Sequence, residues 1–294
     1  MKILLIGKVG QLGWELQRTL PPLGEVIAVD FPEIDLAKDD YVRSWVRRVR
    51  PQVIVNAAAY TAVDRAEEEP DLAMAVNGTA PGILAEEARS LGAALIHYST
   101  DYVFDGTKLE HYVETDSTNP INAYGASKLA GEQAVQAVGG VYLILRTSWV
   151  YSLRVGGFVN KVLGWARKYP ELRIVRDQVG SPTWCRMLAE VNAQMLAKAG
   201  EDPLAWLGDR VGLYHLGGSG GVSRLEWARA ILKYDPNPAE QIVKEVHPAL
   251  TSEFPTPAKR PLHSVLNCKR FEDTFDLRLP HWELALKLAM EKIA

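Results

Sequence analysis

The sequence predicts an α/β fold, a doubly wound parallel sheet with a smaller C-terminal lobe. Three observations predict it. Short apolar runs at 3–6, 26–29, 53–55, 93–97 and 141–145 are continuous rather than alternating, the pattern of strands buried on both faces. Amphipathic stretches at 12–20, 40–50 and 80–91 lie between them, so strand and helix alternate with right-handed crossovers. The 294 residues, 47% hydrophobic and 23% charged, are enough for one large or two small globular domains.

The first run follows Met1-Lys2 and ends at Gly7. It is too short for a signal-peptide core and reads as a buried first strand. After Trp149 the pattern changes. Helical stretches at 158–168, 185–199, 224–234 and 282–293 are separated by Pro- and Gly-rich loops. Residues 213–216 and 242–246 read as short strands. No apolar run approaches the roughly 18 residues of a membrane helix. The formal net charge of −3 lacks the basic footprint that nucleic acid needs. Two cysteines, Cys185 and Cys268, exclude a disulfide framework or a cysteine metal cluster. A cytoplasmic enzyme or binding protein, with neither nucleic acid nor membrane as partner, is the expected class.

Gly7-Lys8-Val9-Gly10-Gln11-Leu12-Gly13 joins the first strand to the first helix. Glycines there allow a tight turn, close backbone approach to a pyrophosphate and close strand–helix contact. Free amides at the helix N-terminus then face the phosphate charge. The spacing is GxxGxxG rather than GxGxxG, and by itself it also fits an ordinary Gly-rich turn. Its place directly after an N-terminal buried strand favours a Rossmann-like dinucleotide site. Residues 1–150 then form the dinucleotide-binding domain. Residues 151–294 are mainly a substrate-binding lobe, with some segments returning to the sheet. Asp30 ends the second run, about 20 residues on, where a carboxylate accepts hydrogen bonds from a ribose. That carboxylate repels a 2′-phosphate and favours NADH, whereas Lys8 in the loop is placed to offset the repulsion. NADPH and NADH both stay open as cofactors.

Tyr124-Gly125-Ala126-Ser127-Lys128 sets a phenol and an ammonium four residues apart, on one face of a helix. A free tyrosine titrates near 10, and a neighbouring Lys⁺ is expected to lower that value toward working pH. Tyr-x-x-x-Lys is common by chance, but it occurs once here, after a fourth strand ending in Ser99-Thr100-Asp101. Those hydroxyls emerge at the carboxyl end of the sheet, where open α/β folds bind ligands.

With these motifs the chain resembles the extended short-chain dehydrogenase/reductase superfamily and, within it, the dTDP-4-dehydrorhamnose reductase family. The resemblance rests on 7–16, 55–64, 97–104 and 124–128, then on 146–151, 177–183 and 257–261, nearly the whole chain in family order. It implies reduction of the C4 ketone of dTDP-4-dehydro-L-rhamnose, a dTDP-sugar, the last step of dTDP-L-rhamnose synthesis. Tyr124 would donate the proton, Lys128 would hold the nicotinamide ribose, and Thr100 would hydrogen-bond the reacting oxygen. By position, Gly10, Gln11, Leu12, Asp30, Asp35, Leu36, Ala59, Tyr60 and Thr61 would line the dinucleotide. Thr100, Asp101 and Trp149 would face the sugar, with Arg260 on the diphosphate and Gln178 in the substrate cleft.

Tyr60 stands where histidine is common in the family. Some members bind Mg²⁺ through glutamates at a dimer contact, and Glu15 matches one such position. Arg186 and Lys292 stand where the others would be, and cations do not replace carboxylate ligands of a hard metal. No metal ligand is assigned, and the chain is expected to be a monomer or homodimer. Two rivals share the fold, an NAD-retaining sugar-nucleotide epimerase and a non-catalytic nucleotide-binding subunit. A dehydratase is disfavoured because Thr100 is followed by Asp101-Tyr102, without the Asp-Glu pair of that chemistry.

Overall fold

The computed structural model describes residues 1–154, 156–200 and 202–291. Strand β1 (Lys2–Ile6) pairs in parallel with β2 (Glu25–Val29) on one side and β3 (Val53–Asn56) on the other. Outward from β3 lie β4 (Ala94–Thr100) and β5 (Val141–Thr147). Strand β6 (Glu171–Val175) stands outside this sheet, and β7 (Gly212–His215) returns to it beside β5. The order across the six-stranded parallel sheet is β7-β5-β4-β3-β1-β2.

The continuous apolar runs split between two cores by simple alternation. Ile3 and Leu5 join Leu16 of α1 (Gln11–Thr19) and Leu188 and Met195 of α6 (Cys185–Ala199). Leu4 and Ile6 join Val42 and Val46 of α2 (Asp39–Val49) and Leu84 of α3 (Ala80–Leu91) on the other face. Helix α4 (Ala123–Val138) packs beside α3 on that second face, with Val135 in the core. Because β1 has β2 on one flank and β3 on the other, the crossover direction reverses there. Crevices at the carboxyl ends of such strands are where ligands sit.

A third core fills the C-terminal half. Val159 and Val162 of α5 (Phe158–Ala166) meet Leu172 and Ile174 of β6 and Trp227 and Ile231 of α7 (Arg224–Lys233). Leu286 of α8 (Trp282–Met290) closes it. Strand β8 (Glu245–Ala249) pairs in parallel with β6. The strand expected at 242–246 therefore starts later. The Ile242 and Val243 amides instead donate to the Ala166 carbonyl at 2.9 and 3.2 Å, satisfying an orphan acceptor at the end of α5. The fourth strand carries the apolar run at 93–97 from Ala94 on and ends at Thr100, and all seven of its residues are buried. Its polar end is satisfied internally. Asn192 Nδ2 donates to the Tyr98 hydroxyl at 3.0 Å and Ser99 Oγ donates to Glu132 at 2.5 Å. Among the described residues no helix is long and apolar enough to cross a membrane.

Candidate active site

The three glycines after β1 have three different jobs. Gly7 adopts φ +94°, and a Cβ there would lie 2.6 Å from the Ala58 amide nitrogen. Gly13 lies in the first turn of α1, where a Cβ would meet the Gly7 carbonyl at 1.9 Å, so it serves packing and does not line the cleft. Gly10 is the residue before α1, carries no side-chain cap, and a Cβ there would meet only the Gly7 carbonyl, at 3.4 Å. The unpaired amides of that helix start thus face a cleft of about 690 Å³, bordered here by Gly7, Gly10, Gln11 and Leu12. Gln11 Oε1 is buried there without a hydrogen-bond partner. The residues present fit a dinucleotide: open backbone amides for its phosphates, and at Gln11 an acceptor still free for a ligand hydroxyl.

Asp30 borders the same cleft at the end of β2. Its Oδ2 accepts from the Val9 amide and its Oδ1 from the Phe31 amide, both at 2.8 Å. Lys8 is committed to Glu33 at 2.5 Å, and this partner holds the Glu33 carboxyl below its ordinary value. Asp30 at the edge of the cleft therefore has beside it a second carboxylate, Glu33, which already engages the nearby Lys8. Asp35 and Leu36, expected to line the dinucleotide, do not border the cleft. Asp35 accepts from the Ala37 amide at 3.0 Å and pairs with Lys38, while Leu36 is buried in the core under the sheet.

After β3, Ala57, Ala58, Ala59 and Thr61 line the opposite wall. The side chain of Tyr60 turns away, its hydroxyl donating to Glu69 at 2.5 Å. What fixes this loop is Asn77, a residue the sequence reading passed over. Its Oδ1 accepts from the Tyr60 amide at 2.8 Å, and its Nδ2 donates to the Tyr60 carbonyl and to Ser127 Oγ at 3.0 and 3.1 Å. Asn77 sits in a π-helical turn, Ala75–Thr79, immediately before α3. Such turns mark functional sites more often than ordinary helix does. The sequence signal was the Asn-Gly pair inside an otherwise apolar helical stretch.

Tyr124, Lys128, Thr100 and Asp101 come together in the cleft. Helix α4 begins with Asn122 as N-cap, its side chain accepting from the Gly125 amide at 2.7 Å, which sets Tyr124 in the first turn. Burial pushes the phenol of Tyr124 above its ordinary value, a hydrogen bond with Thr100 opposes that shift, and the Asp101 charge adds to it. Lys128 was expected to lower the phenol. Instead its Nζ donates to the Tyr98 carbonyl at 2.6 Å and lies 3.4 Å from His97 Nε2. Desolvation brings Lys128 down to about 8. A phenol that keeps its proton at neutral pH suits a donor.

Asp101 is 2% exposed. Its Oδ2 accepts from Ser264 and Ser148 at 2.5 and 2.9 Å, and its Oδ1 accepts from Thr100 at 3.2 Å. Desolvation outweighs these three bonds and raises the acid to about 6. Beneath lies a buried ion pair, in which Arg146 of β5 donates to both oxygens of Glu132 on α4 at 2.8 and 2.7 Å.

Trp149 forms the far wall with φ +44°, a strained left-handed conformation for a bulky residue. Its indole stacks on Trp227, with centroids 5.5 Å apart and planes 20° apart. A Cβ at Gly180 would strike it at 2.5 Å. The Arg224 guanidinium lies 3.5 Å from the indole centre. It makes no salt bridge among the described residues, and desolvation lowers it to about 10. Arg224 was not expected from the sequence. Arg260 was, but both its terminal nitrogens bind Asp64, at 2.7 and 2.8 Å, and it does not border the cleft. Gln178 is likewise outside, donating to Thr251 at 3.1 Å. Glu15 is paired with Arg186 at 3.3 Å. Among the described residues no cluster of three metal-ligating side chains occurs, and Lys292 lies outside the described residues.

Comparison with known proteins agrees with this geometry. A family model described as the RmlD substrate binding domain matches residues 1–294. A dTDP-4-dehydrorhamnose reductase of Burkholderia thailandensis is 43% identical over 296 residues, covering 100% of this chain and 99% of the relative. A crystal structure of such a reductase from Clostridium acetobutylicum superposes with TM-score 0.89 at 38% identity, covering 99% of this chain and 98% of that one. Another, from Bacillus anthracis in complex with NADP, gives TM-score 0.88 at 35% identity with 98% of each chain covered. A family model that matches the whole chain, with relatives 35–43% identical over nearly the full length and the same fold, places the chain in one family: it belongs to the dTDP-4-dehydrorhamnose reductases.

Proposed function

We propose that this chain reduces the C4 ketone of dTDP-4-dehydro-L-rhamnose to dTDP-L-rhamnose with a nicotinamide dinucleotide as reductant. The observation that carries this reading is the convergence of Tyr124, Lys128 and Thr100 on the cleft that the Gly7–Gly10 turn opens. When bound, the reduced nicotinamide supplies the hydride. The chain supplies the rest. The α1 amides hold the pyrophosphate, Asp30 accepts from the adenosine ribose, and Lys128 binds the nicotinamide ribose. Tyr124 holds the proton that the carbonyl oxygen receives. Thr100 turns its hydroxyl from Asp101 to that oxygen, stabilising charge as it develops. Asp101 and Trp149 face the sugar. Arg224 does not itself border the cleft, but it lies on the wall residue Trp149 and makes no salt bridge among the described residues, so it is assigned the diphosphate.

NADH is the preferred reductant in this reading. Asp30 and Glu33 meet a 2′-phosphate with like charge, and Lys8 is already paired. The protein works in the cytoplasm as a monomer or homodimer, without Mg²⁺. The test is to mix purified protein with dTDP-4-dehydro-L-rhamnose and each reduced dinucleotide, follow loss of nicotinamide absorbance, and identify the sugar by NMR. Tyr124→Phe should cost about 10²–10⁴ in kcat with dinucleotide affinity kept. Turnover without added reductant by protein that retains NAD⁺ would replace this reading with epimerisation.

A further inference from the structure

The hydrogen-bond roles around Lys128 can be counted from the sheet outward. Asn56 and His97 are register partners on β3 and β4. Asn56 Oδ1 accepts from the Ala58 amide at 3.2 Å, which orients the carboxamide so that Nδ2 faces His97 Nδ1 at 3.1 Å. A neutral imidazole has one N–H and one lone pair. The lone pair at Nδ1 is taken by Asn56, so the proton sits on Nε2, 3.4 Å from Lys128 Nζ. His97 stays neutral, because its burial drives it well below the ordinary histidine value. Lys128 therefore finds one acceptor, the Tyr98 carbonyl, and one N–H. A neutral amine accepts from that N–H, whereas an ammonium is repelled by it.

The other charged groups do not reverse this. Glu132, one turn along α4, favours the ammonium. It is held by Arg146 of β5 through two bonds. Tyr124 from the same helix, neutral, and Asp101 beyond β4, a carboxylate at alkaline pH, border the same cleft, and neither hydrogen-bonds Nζ.

We propose that His97 is a positioning residue for Lys128: with its Nε2–H turned toward Nζ, it weakens the Lys128 ammonium, so that in the ligand-free enzyme Nζ gives up its proton in mildly alkaline solution. There Lys128 takes the proton back when a vicinal diol supplies acceptors. That diol is the nicotinamide ribose in the reductase reading, on which this inference rests. Dinucleotide affinity is accordingly linked to uptake of one proton at alkaline pH.

Long-range ¹H–¹⁵N NMR of the full ligand-free chain tests it directly. The expected spectrum has His97 Nε2 protonated and Nδ1 bare, with the Lys128 amine titrating near 8. His97→Gln, whose amide oxygen accepts from an ammonium, should move that titration up by about one unit, tenfold in the acid equilibrium. Asn56→Asp reaches the same end with His97 kept, by drawing the proton to Nδ1, and serves if the first variant does not fold. A His97 spectrum showing Nδ1–H or an imidazolium overturns the proposal, as does a Lys128 titration unmoved in a folded variant. Both signals are read without turnover, so loss of the reductase activity and loss of this tautomer are separate results.

Discussion

The two ends of the cleft are built by different means. At the glycine-turn end the groups offered are the backbone amides of consecutive residues at the start of α1, Gln11 and Leu12, and what matters there is the absence of side chains at Gly7 and Gly10. At the sugar end they are side chains brought from far apart. Thr100 ends β4 and Asp101 follows it, Trp149 follows β5 with Arg224 of α7 laid on its indole, and Ser264 reaches Asp101 across 163 residues of sequence. A backbone cradle is a local product of one strand–turn–helix unit. A side-chain wall exists only once the whole chain has folded, so the two ends should respond differently to substitution.

The largest effect should fall on the floor that both ends share. Glu132→Ala leaves the buried Arg146 charge unpaired, which costs about 3–5 kcal/mol; chemical denaturation should show it as a lowered midpoint. Next is Asp101→Asn. Asp101 ionises near 3.8 unfolded and about 6 folded, so the native chain binds more protons in that window and stability falls as pH rises through it. Removing the ionisation should return about 3 kcal/mol at pH 8 and nothing near pH 3, read from unfolding curves at both pH values. Arg224→Ala should raise the KM for the dTDP-sugar about tenfold or more, the scale of a charge-assisted hydrogen bond. The dinucleotide KM should stay fixed; an equal rise in both would erase the division between the ends. The smallest effect is Glu33→Gln. It frees Lys8 and should shift the NADPH to NADH ratio of kcat/KM a few-fold toward NADPH, since exposed charge pairs are weak, while the sugar KM does not move.

The same division governs what could be read from the sequence. The glycine turn, Asp30, and the Tyr124/Lys128 spacing are short-range patterns, and Gly7, Gly10, Asp30, Tyr124 and Lys128 all border the cleft. The alternation of Ile3 and Leu5 against Leu4 and Ile6 between two cores follows from continuous apolar runs. What failed was long-range. Asn77 matters because it meets Tyr60 across 17 residues, and His97 because a helix lays Lys128 against it. Arg260 and Gln178 were assigned by resemblance, but Asp64 and Thr251 engage them instead. Spacing also put Lys128 on the right face without revealing that its nitrogen turns to a carbonyl rather than to the phenol.

Strand β7 comes from residues 212–215 yet hydrogen-bonds β5 along one edge of the parallel sheet. During synthesis that edge stays open until those residues leave the ribosome, with the amides and carbonyls of an apolar strand exposed. A piece cut at residue 150 would carry the cradle but also a sticky border, prone to pairing with its own copies. Whoever seeks a minimal nucleotide-binding fragment should keep this late strand, for it finishes what the first half begins.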